Sequence, residues 1–439
     1  MFKTIRVLVL LGLLLALSIT AGVRAASPTI AVVTAEGVIN PVLADYIARG
    51  IEEAEDLNAT ACVIQLDTPG GLDTAMRDIV QEIVNARIPV VVFVSPSGAR
   101  AASAGVFITV AAHVAAMAPN TAIGAASPVA VGPEGEVEMS ETMQEKVLND
   151  AAAYIRSLAE SHGRNVDWAE QAVREAVSAT EREALELNVI DIVAADIDAL
   201  IAELDGWEVT LLGGAVVTIE TEDAVVQYID MSWMEKFLFA ITDPNIAYVL
   251  LSLATLGLFV EISNPGLIVP GVAGGICLIL ALYSLGNLPV NITGILLVAG
   301  AFGLFIAEVF TETFGLFTAG GITALVLGSL ILFKGGPLFQ VNPWLVGTIA
   351  FIIAAAIAFI ITRVVVSHRR QPSTGREELV GKTAVVKAVL APEGMVLYKG
   401  ERWTAVSEEG RIEPNEKVVI DRVDSLKLYV HRQKKESGN

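Results

Sequence analysis

Five apolar stretches dominate the second half of this sequence, at about 246–262, 267–286, 289–309, 315–333 and 344–366. Each holds roughly the ~20 residues a helix needs to cross a ~30 Å hydrocarbon core. Gly and Pro lie within and between them, as is common in membrane helices. The first stretch also reads as a re-entrant or interfacial segment, so the span count is about four to six. The whole chain is 54% hydrophobic with a mean hydropathy of +0.61, above the range of a soluble globular protein.

The N-terminus carries a second apolar signal. Lys3 and Arg6 form a basic start, Val7 to Leu17 an apolar run, and Val23-Arg24-Ala25 a small-x-small cleavage pattern. Residues 1–25 therefore read as a signal peptide, with an uncleaved anchor helix as the alternative. In either case the following segment is exported. Five crossings then leave the C-terminus in the cytoplasm, in keeping with Arg363, His368, Arg369 and Arg370 after the last span. An even number would reverse this.

Residues 28–225 alternate between strands and helices. Thr29–Thr34, Ala61–Leu66 and Pro89–Val94 read as strands, the latter two apolar enough to be buried on both faces. Leu43–Leu57 carries Leu43, Ile47 and Ile51 on one helical face, and Leu72–Ala86 carries Met76, Ile79, Val80 and Ile83. Glu141–Ala159, Trp168–Val177 and Ala195–Leu204 read as later helices. The pattern predicts a largely parallel α/β sheet covered on both sides. Val131–Glu138, with Gly, Pro and three glutamates, reads as a mobile surface loop. Residues 377–432 change character again, with short apolar runs at Ala384–Val389, Met395–Leu397, Val418–Ile420 and Leu426–Val430. Turns break them up, which suggests a small five-stranded OB-like β-barrel. The expected parts are 1–25, 26–235, 236–370 and 371–439: signal peptide, α/β domain, membrane block, and barrel with tail.

Charge excludes some partners. From Ala26 to Glu235 there are nine basic residues, eight Arg and one Lys, against 34 Asp and Glu. A surface this acidic is a poor match for nucleic acid or an anionic lipid surface. The barrel has only Tyr398, Trp403 and Tyr429 as possible stacking groups, so protein–protein adaptation is the better reading there. The two cysteines, Cys62 and Cys277, have no metal-ligand spacing. No cofactor or metal is implied.

Three features of the exported domain point to chemistry. Asp67-Thr-Pro-Gly70-Gly71 follows a buried strand, where glycines let backbone N–H groups face a ligand. An ordinary strand-to-helix turn is the plain alternative. Ser97-Gly-Ala-Arg-Ala-Ala-Ser103-Ala104-Gly105 places one serine among small residues at a helix start. The same pattern also fits simple close packing. Lys146 is the only lysine between Lys3 and Lys236. Arginine cannot act as a base, whereas lysine can once burial has brought its pKa from ~10.4 toward 7–8. A helix would put Met139 and Met143 on the face of Lys146, whereas Glu145 and Asp150 would oppose a neutral amine. A solvated surface lysine is the alternative. His113 and His162 are the only histidines of this domain, and a Ser–His–Asp triad has the weaker case. Asp67 reads as a turn residue, and Ser95, Ser97 and Ser127 rank below Ser103.

Asp-Thr-Pro-Gly-Gly, Pro-Ser-Gly-Ala-Arg-Ala-Ala-Ser-Ala-Gly and Met-Ala-Pro-Asn-Thr-Ala-Ile-Gly-Ala-Ala (117–126) together resemble the long-form NfeD family. That family consists of membrane-bound serine proteases of the ClpP class, related to signal peptide peptidase A. The resemblance covers nearly the whole chain. It implies a ClpP/crotonase spiral of ββα units, Ser103 as nucleophile and Lys146 as general base. It further implies backbone N–H groups of Gly70 or Gly71 and of Ala104 as oxyanion donors. A stomatin-like membrane protein as partner and substrate, cleavage of apolar segments, and a dimeric or larger assembly are also implied. Ser127-Pro128-Val129 is a place where some members differ. Two other classes remain: a crotonase-like acyl-transfer domain, and a non-enzymatic scaffold partnering stomatin- or flotillin-like proteins.

Overall fold

The computed structural model describes residues 27–128, 131–132, 135–136, 140–311, 315–333, 339–369 and 376–433. The expected signal peptide lies outside them. The chain divides into two compact units, 1–354 and 355–439.

The first unit begins with the α/β domain. Its strands are β1 Thr29–Glu36, β2 Ala61–Asp67, β3 Val90–Val94, β4 Arg100–Ala102, β5 Val114–Met117, β6 Ala122–Gly124, β7 Val131–Gly132, β8 Gly135–Glu136, β9 Ser178–Thr180, β10 Ile192–Val193, β11 Trp207–Thr210, β12 Val216–Ile219 and β13 Val225–Tyr228. Its helices are α1 Pro41–Asp56, α2 Asp73–Asn85, α3 Ala104–Val110, α4 Glu141–Ser161, α5 Val166–Arg174, α6 Glu181–Glu186 and α7 Ile197–Leu204. Six strands form one all-parallel sheet in the order β10-β5-β3-β2-β1-β13. Side chains alternate across it. Ala31, Val33 and Ala35 enter a core shared with α1, α2 and α3, whereas Ile30 and Val32 enter a second core with α7 and the β11–β12 hairpin. Covering both faces explains why β2 and β3 read as unbroken apolar runs.

A second, smaller sheet, β4-β6-β9, decides where the site falls. The chain leaves β3 for β4 before entering α3, and leaves β5 for β6. It leaves β2 for Thr68, which bridges to Ala101 of β4, before entering α2. Successive turns of the chain thus add a strand to the large sheet and a bridge or strand to the small one, which is the ββα spiral expected for the ClpP/crotonase class. Within the expected surface loop, β7 and β8 pair as a two-residue ribbon.

The later helices of this unit are α8 Trp233–Ile241, α9 Pro244–Ser263, α10 Val269–Gly286, α11 Ile292–Phe310, α12 Leu316–Leu330 and α13 Pro343–Arg369, the last running on into the second unit. They match the five expected stretches, with α8 added across the expected boundary at 235/236. Among the described residues, α9, α10 and α11 are long and apolar enough to cross a membrane. The stretch left open between a span and an interfacial segment is the 20-residue helix α9. Small residues set the packing of α9 on α10: a Cβ on Gly257 would lie 2.6 Å from the Pro270 carbonyl oxygen, and one on Gly274 2.9 Å from the Leu258 nitrogen. Such approach replaces the hydrophobic drive that lipid cannot supply.

The second unit holds a closed barrel of β14 Thr383–Ala388, β15 Glu393–Tyr398, β16 Glu401–Ser407, β17 Lys417–Asp424 and β18 Lys427–Arg432, in the order β14-β15-β16-β18-β17. Ala384, Val386, Val396, Ala405, Val418, Ile420, Leu428 and Val430 fill it, at alternate positions along the strands.

One buried charge pins the far end of α3. Arg164, 5% exposed, donates to the carbonyls of Val110 (2.7 Å) and Ala112 (2.8 Å) and pairs with Asp191 at 2.7 Å. Arg164→Ala strands two carbonyls and a carboxylate, and is expected to cost about 3–5 kcal/mol. Denaturant unfolding of residues 26–235, wild type against variant, checks this.

Candidate active site

The motif after β2 is stitched to β4 by backbone bonds. Thr68 N–H donates to the Arg100 carbonyl (2.8 Å), Ala102 N–H donates to the Thr68 carbonyl (3.1 Å), and Arg100 N–H donates to Asp67 Oδ1 (3.0 Å). Asp67 is therefore a turn brace, as read from the sequence. This stitch carries Gly70 onto Ser103. A Cβ at Gly70 would lie 2.7 Å from Ser103 Cβ and 3.2 Å from its Oγ. Gly70 also has φ +115°, a conformation glycine alone adopts readily. Gly71 is closed off from the other side, since its Cβ would lie 2.1 Å from the Ile39 carbonyl oxygen.

Ser103 sits between β4 and α3 with φ 54° and ψ −113°. A non-glycine residue in such a region costs about 1–3 kcal/mol and persists only where its surroundings impose it. The imposing bonds are those of the stitch, together with Ser103 N–H donating to the Gly124 carbonyl at 3.1 Å. A sharp strand-to-helix turn of this kind is how hydrolases expose a nucleophilic hydroxyl. The Ser103 hydroxyl is half-buried and has no hydrogen-bond partner among the described residues. The other serines differ. Ser97 Oγ accepts from Asn120 (3.1 Å), Ser127 Oγ donates to the Val173 carbonyl (2.6 Å), and Ser95 is buried and accepts a long bond from Gln65 (3.5 Å).

Backbone donors from Gly70 or Gly71 and from Ala104 were expected beside Ser103. The N–H groups of Gly71 and Ala104 have no partner among the described residues. Gly70 is the exception: its N–H donates to Thr68 Oγ1 at 3.0 Å. Of the two alternatives Gly70 and Gly71, the Gly70 N–H is thus engaged within the loop, and Gly71 is the one whose N–H is left over among the described residues. Thr68, fully buried, is the residue that sequence reasoning missed. A threonine two places before Gly-Gly at a strand end is a known turn former, and that was the available signal.

Lys146 lies on α4, and its setting departs from expectation. Thr142 to Val147 are all exposed, and packing begins only at Leu148, followed by Ala151, Ala152 and Ile155. The expected apolar niche is not formed among the described residues: Met143 is 49% exposed and Met139 lies outside them. No hydrogen bond or ion pair to Lys146 is made by any described residue, so the structure does not join it to Ser103. Beyond this overhang α4 is held firmly beside α3. Tyr154 stacks on Phe107 of α3 at 6.0 Å, and Arg77 bridges to Asp150 (2.6 Å) while lying 4.6 Å over the Tyr154 ring.

The histidines sit elsewhere. His113 and His162 are edge to face at 6.0 Å, next to Arg164 and past the far end of α3. Seven helical residues, ~10 Å at 1.5 Å each, separate that end from Ser103. His113 Nδ1 accepts from Val90 N–H at 3.1 Å, which is a role in holding the sheet.

Comparison with known proteins now adds to this geometry. Family models match along the chain in order: "NfeD1b, N-terminal domain" at 29–228, "NfeD integral membrane domain" at 245–363, and "NfeD-like C-terminal, partner-binding domain" at 376–432. The chain is 40% identical over 412 residues to membrane-bound protease PH1510 of Pyrococcus horikoshii, covering 92% of this chain and 93% of that one. It is 29% identical over 454 residues to membrane protein NfeD1b of Bacillus subtilis, covering 96% and 97%. A solved structure of 1510-N, described as a membrane-bound stomatin-specific protease and holding a substrate peptide, is 37% identical. It covers 49% of this chain and 98% of its own, with a TM-score of 0.46.

Burial lowers the His113 pKa from 6.5 to about 4, helped by the charge of Arg164 and the nearby His162. Its folded value is depressed, so the stabilisation is complete above pH 6.5 and is lost as pH falls toward 4. The loss is about 3 kcal/mol at ~1.36 per pH unit. Unfolding of residues 26–235 at pH 7 and pH 4.5 is expected to show this drop, and His113→Gln to flatten most of it.

Proposed function

We infer that this chain, which belongs to the NfeD family, is a membrane-bound serine endopeptidase with Ser103 as nucleophile and Lys146 as general base. The observation that carries the reading is the state of Ser103. Its hydroxyl is unpartnered among the described residues and held in a strained turn, beside the free N–H groups of Gly71 and Ala104. The relative from Pyrococcus horikoshii, alike along nearly its whole length, is itself named a protease.

The steps follow. As Ser103 Oγ attacks a peptide carbonyl carbon, Lys146 Nζ takes its proton. The carbonyl oxygen becomes an oxyanion and accepts from Gly71 and Ala104 N–H. Lys146 returns the proton to the amide nitrogen, the C–N bond breaks, and the amine leaves. Water, deprotonated by Lys146, then hydrolyses the ester on Ser103. For this the exposed start of α4 must close over the site when substrate binds, bringing the amine to the hydroxyl and excluding water. Hydrogen bonds of this kind often tighten only in the complex.

The proposed substrate class is apolar segments of a stomatin-like membrane protein, a reading supported by the description of 1510-N as stomatin-specific. The barrel, matched by a partner-binding model, is the proposed docking module. The proposed arrangement is an exported α/β domain, a cytoplasmic barrel, and a homodimer or larger assembly. One observation favours a second reading, a non-enzymatic membrane scaffold: the amine of Lys146 stands in solvent.

A fluorophosphonate probe separates the two. Labelling is expected at Ser103 and to vanish in Ser103→Ala. Lys146→Ala is expected to lower cleavage of an apolar stomatin-type peptide by about 10²–10⁴-fold, the range of a lost general base, with an unchanged circular dichroism spectrum. A wild type that neither labels nor cleaves would leave the scaffold reading standing, whereas variants that cleave normally would overturn the assignment of Ser103 and Lys146.

A further inference from the structure

The donor loop has a second set of neighbours, on the side away from Ser103. Gly37 N–H donates to the Asp67 carbonyl, Ile39 N–H to the Gly70 carbonyl, and Leu72 N–H to the Ile39 carbonyl, each at 2.9 Å. Residues 37–39 thus brace the loop directly. They in turn are held by the chain entering the membrane block. Asn40 Nδ2 donates to Thr242 Oγ1 at 2.9 Å, and Thr242 Oγ1 donates to the Phe239 carbonyl at 2.7 Å. Asn40 is 5% and Thr242 3% exposed. One residue earlier, the Ile241 carbonyl accepts from Ser284 Oγ of α10 at 2.6 Å, with Ser284 fully buried. Val38 and Leu72 pack against an apolar cluster that includes Ala247 and Tyr248 of α9, Leu288 and Phe339.

A cavity of about 360 Å³ flanks the Asn40–Thr242 bond, lined by Val38, Phe239, Pro244, Leu288 and Phe339 among others. Ile39 is fully buried in the core, and the Asn40–Thr242 bond, which borders this open space, adds a directional polar tie to that packing.

We propose that Asn40 and Thr242 are positioning residues: through their hydrogen bond the membrane helices set the place of the Gly70–Gly71 loop relative to Ser103. The proposal rests on the reading of Ser103 as nucleophile. Its consequence is that the chain entering the membrane block, held by Ser284 of α10, helps to place the donor loop as well as to anchor the domain.

The test uses the full chain in detergent micelles, with kcat and KM on an apolar peptide and the fluorophosphonate labelling rate of Ser103. Asn40→Asp keeps the side-chain oxygen that accepts from Leu43 N–H at the start of α1 but removes the donor to Thr242. Thr242→Val keeps the shape and removes the acceptor. Thr242→Ser keeps the hydroxyl. Asn40→Asp and Thr242→Val are expected to lower kcat about tenfold or more with KM within about twofold, since a misplaced oxyanion donor acts on the transition state. Thr242→Ser is expected to restore wild-type kcat. If wild type is active and both altered chains keep kcat within about twofold, the positioning role is overturned while the peptidase reading stands. If activity falls only in proportion to the folded fraction, and Thr242→Ser is equally impaired, the bond is purely structural and the proposal also fails. A wild type that neither labels nor cleaves overturns both readings.

Discussion

Everything at this site depends on how closely two backbone segments approach. Thr68 is laid against β4 by a pair of main-chain hydrogen bonds, so that the residues after it pass within van der Waals distance of Ser103. Only glycine fits at position 70, and only a strained backbone fits at position 103. These are one constraint seen from two sides. The small sheet dictates the path, and the side chains that would obstruct it are absent. The same stitch leaves the Gly71 and Ala104 N–H groups without partners among the described residues, so the candidate site is built largely of main chain. Main-chain donors need no reorganisation when charge develops on a substrate, which is why such sites stabilise transition states well.

The lysine poses the opposite case. Its helix is firmly tied from Leu148 onward, through Phe107, Tyr154, Arg77 and Asp150, yet its first turns meet solvent on every side. A long flexible side chain on a free helical end is cheap to move. An amine that must shed its proton needs a dry setting, and the described residues around Lys146 do not supply one. The proposed mechanism therefore assigns water exclusion to the substrate and to closure of the helix start. That division of labour would keep the proposed peptidase quiet until a substrate segment arrives.

The membrane helices solve a different problem. Without a hydrophobic drive in lipid, α9 and α10 meet through Gly257 and Gly274, where backbones come into direct contact. A rigid bundle of this sort is a good reference frame, and residues 37–42 join the α/β domain to it by both packing and a buried hydrogen bond. The barrel, by contrast, closes its own core and belongs to a separate compact unit.

Periodicity alone determined much of this protein. Apolar length marked the membrane helices. Unbroken runs such as Val90–Val94 marked a parallel sheet covered on both faces, and the small-residue motifs pointed to Ser103 and to Gly70 or Gly71 as candidates. Those signals are local, so a sequence carries them in full. It did not announce strands with little local pattern: β16, Glu-Arg-Trp-Thr-Ala-Val-Ser, begins with charge, and β13 pairs with β1 although it lies nearly two hundred residues downstream. Nor did it show that Thr68 would take the Gly70 N–H, that Ser103 would be strained, that Lys146 would stand in solvent, or that Asn40 would meet Thr242. Each of these depends on which distant segments become neighbours. Hydrogen-bond partners and burial are properties of that three-dimensional arrangement, and no one-dimensional spacing encodes them.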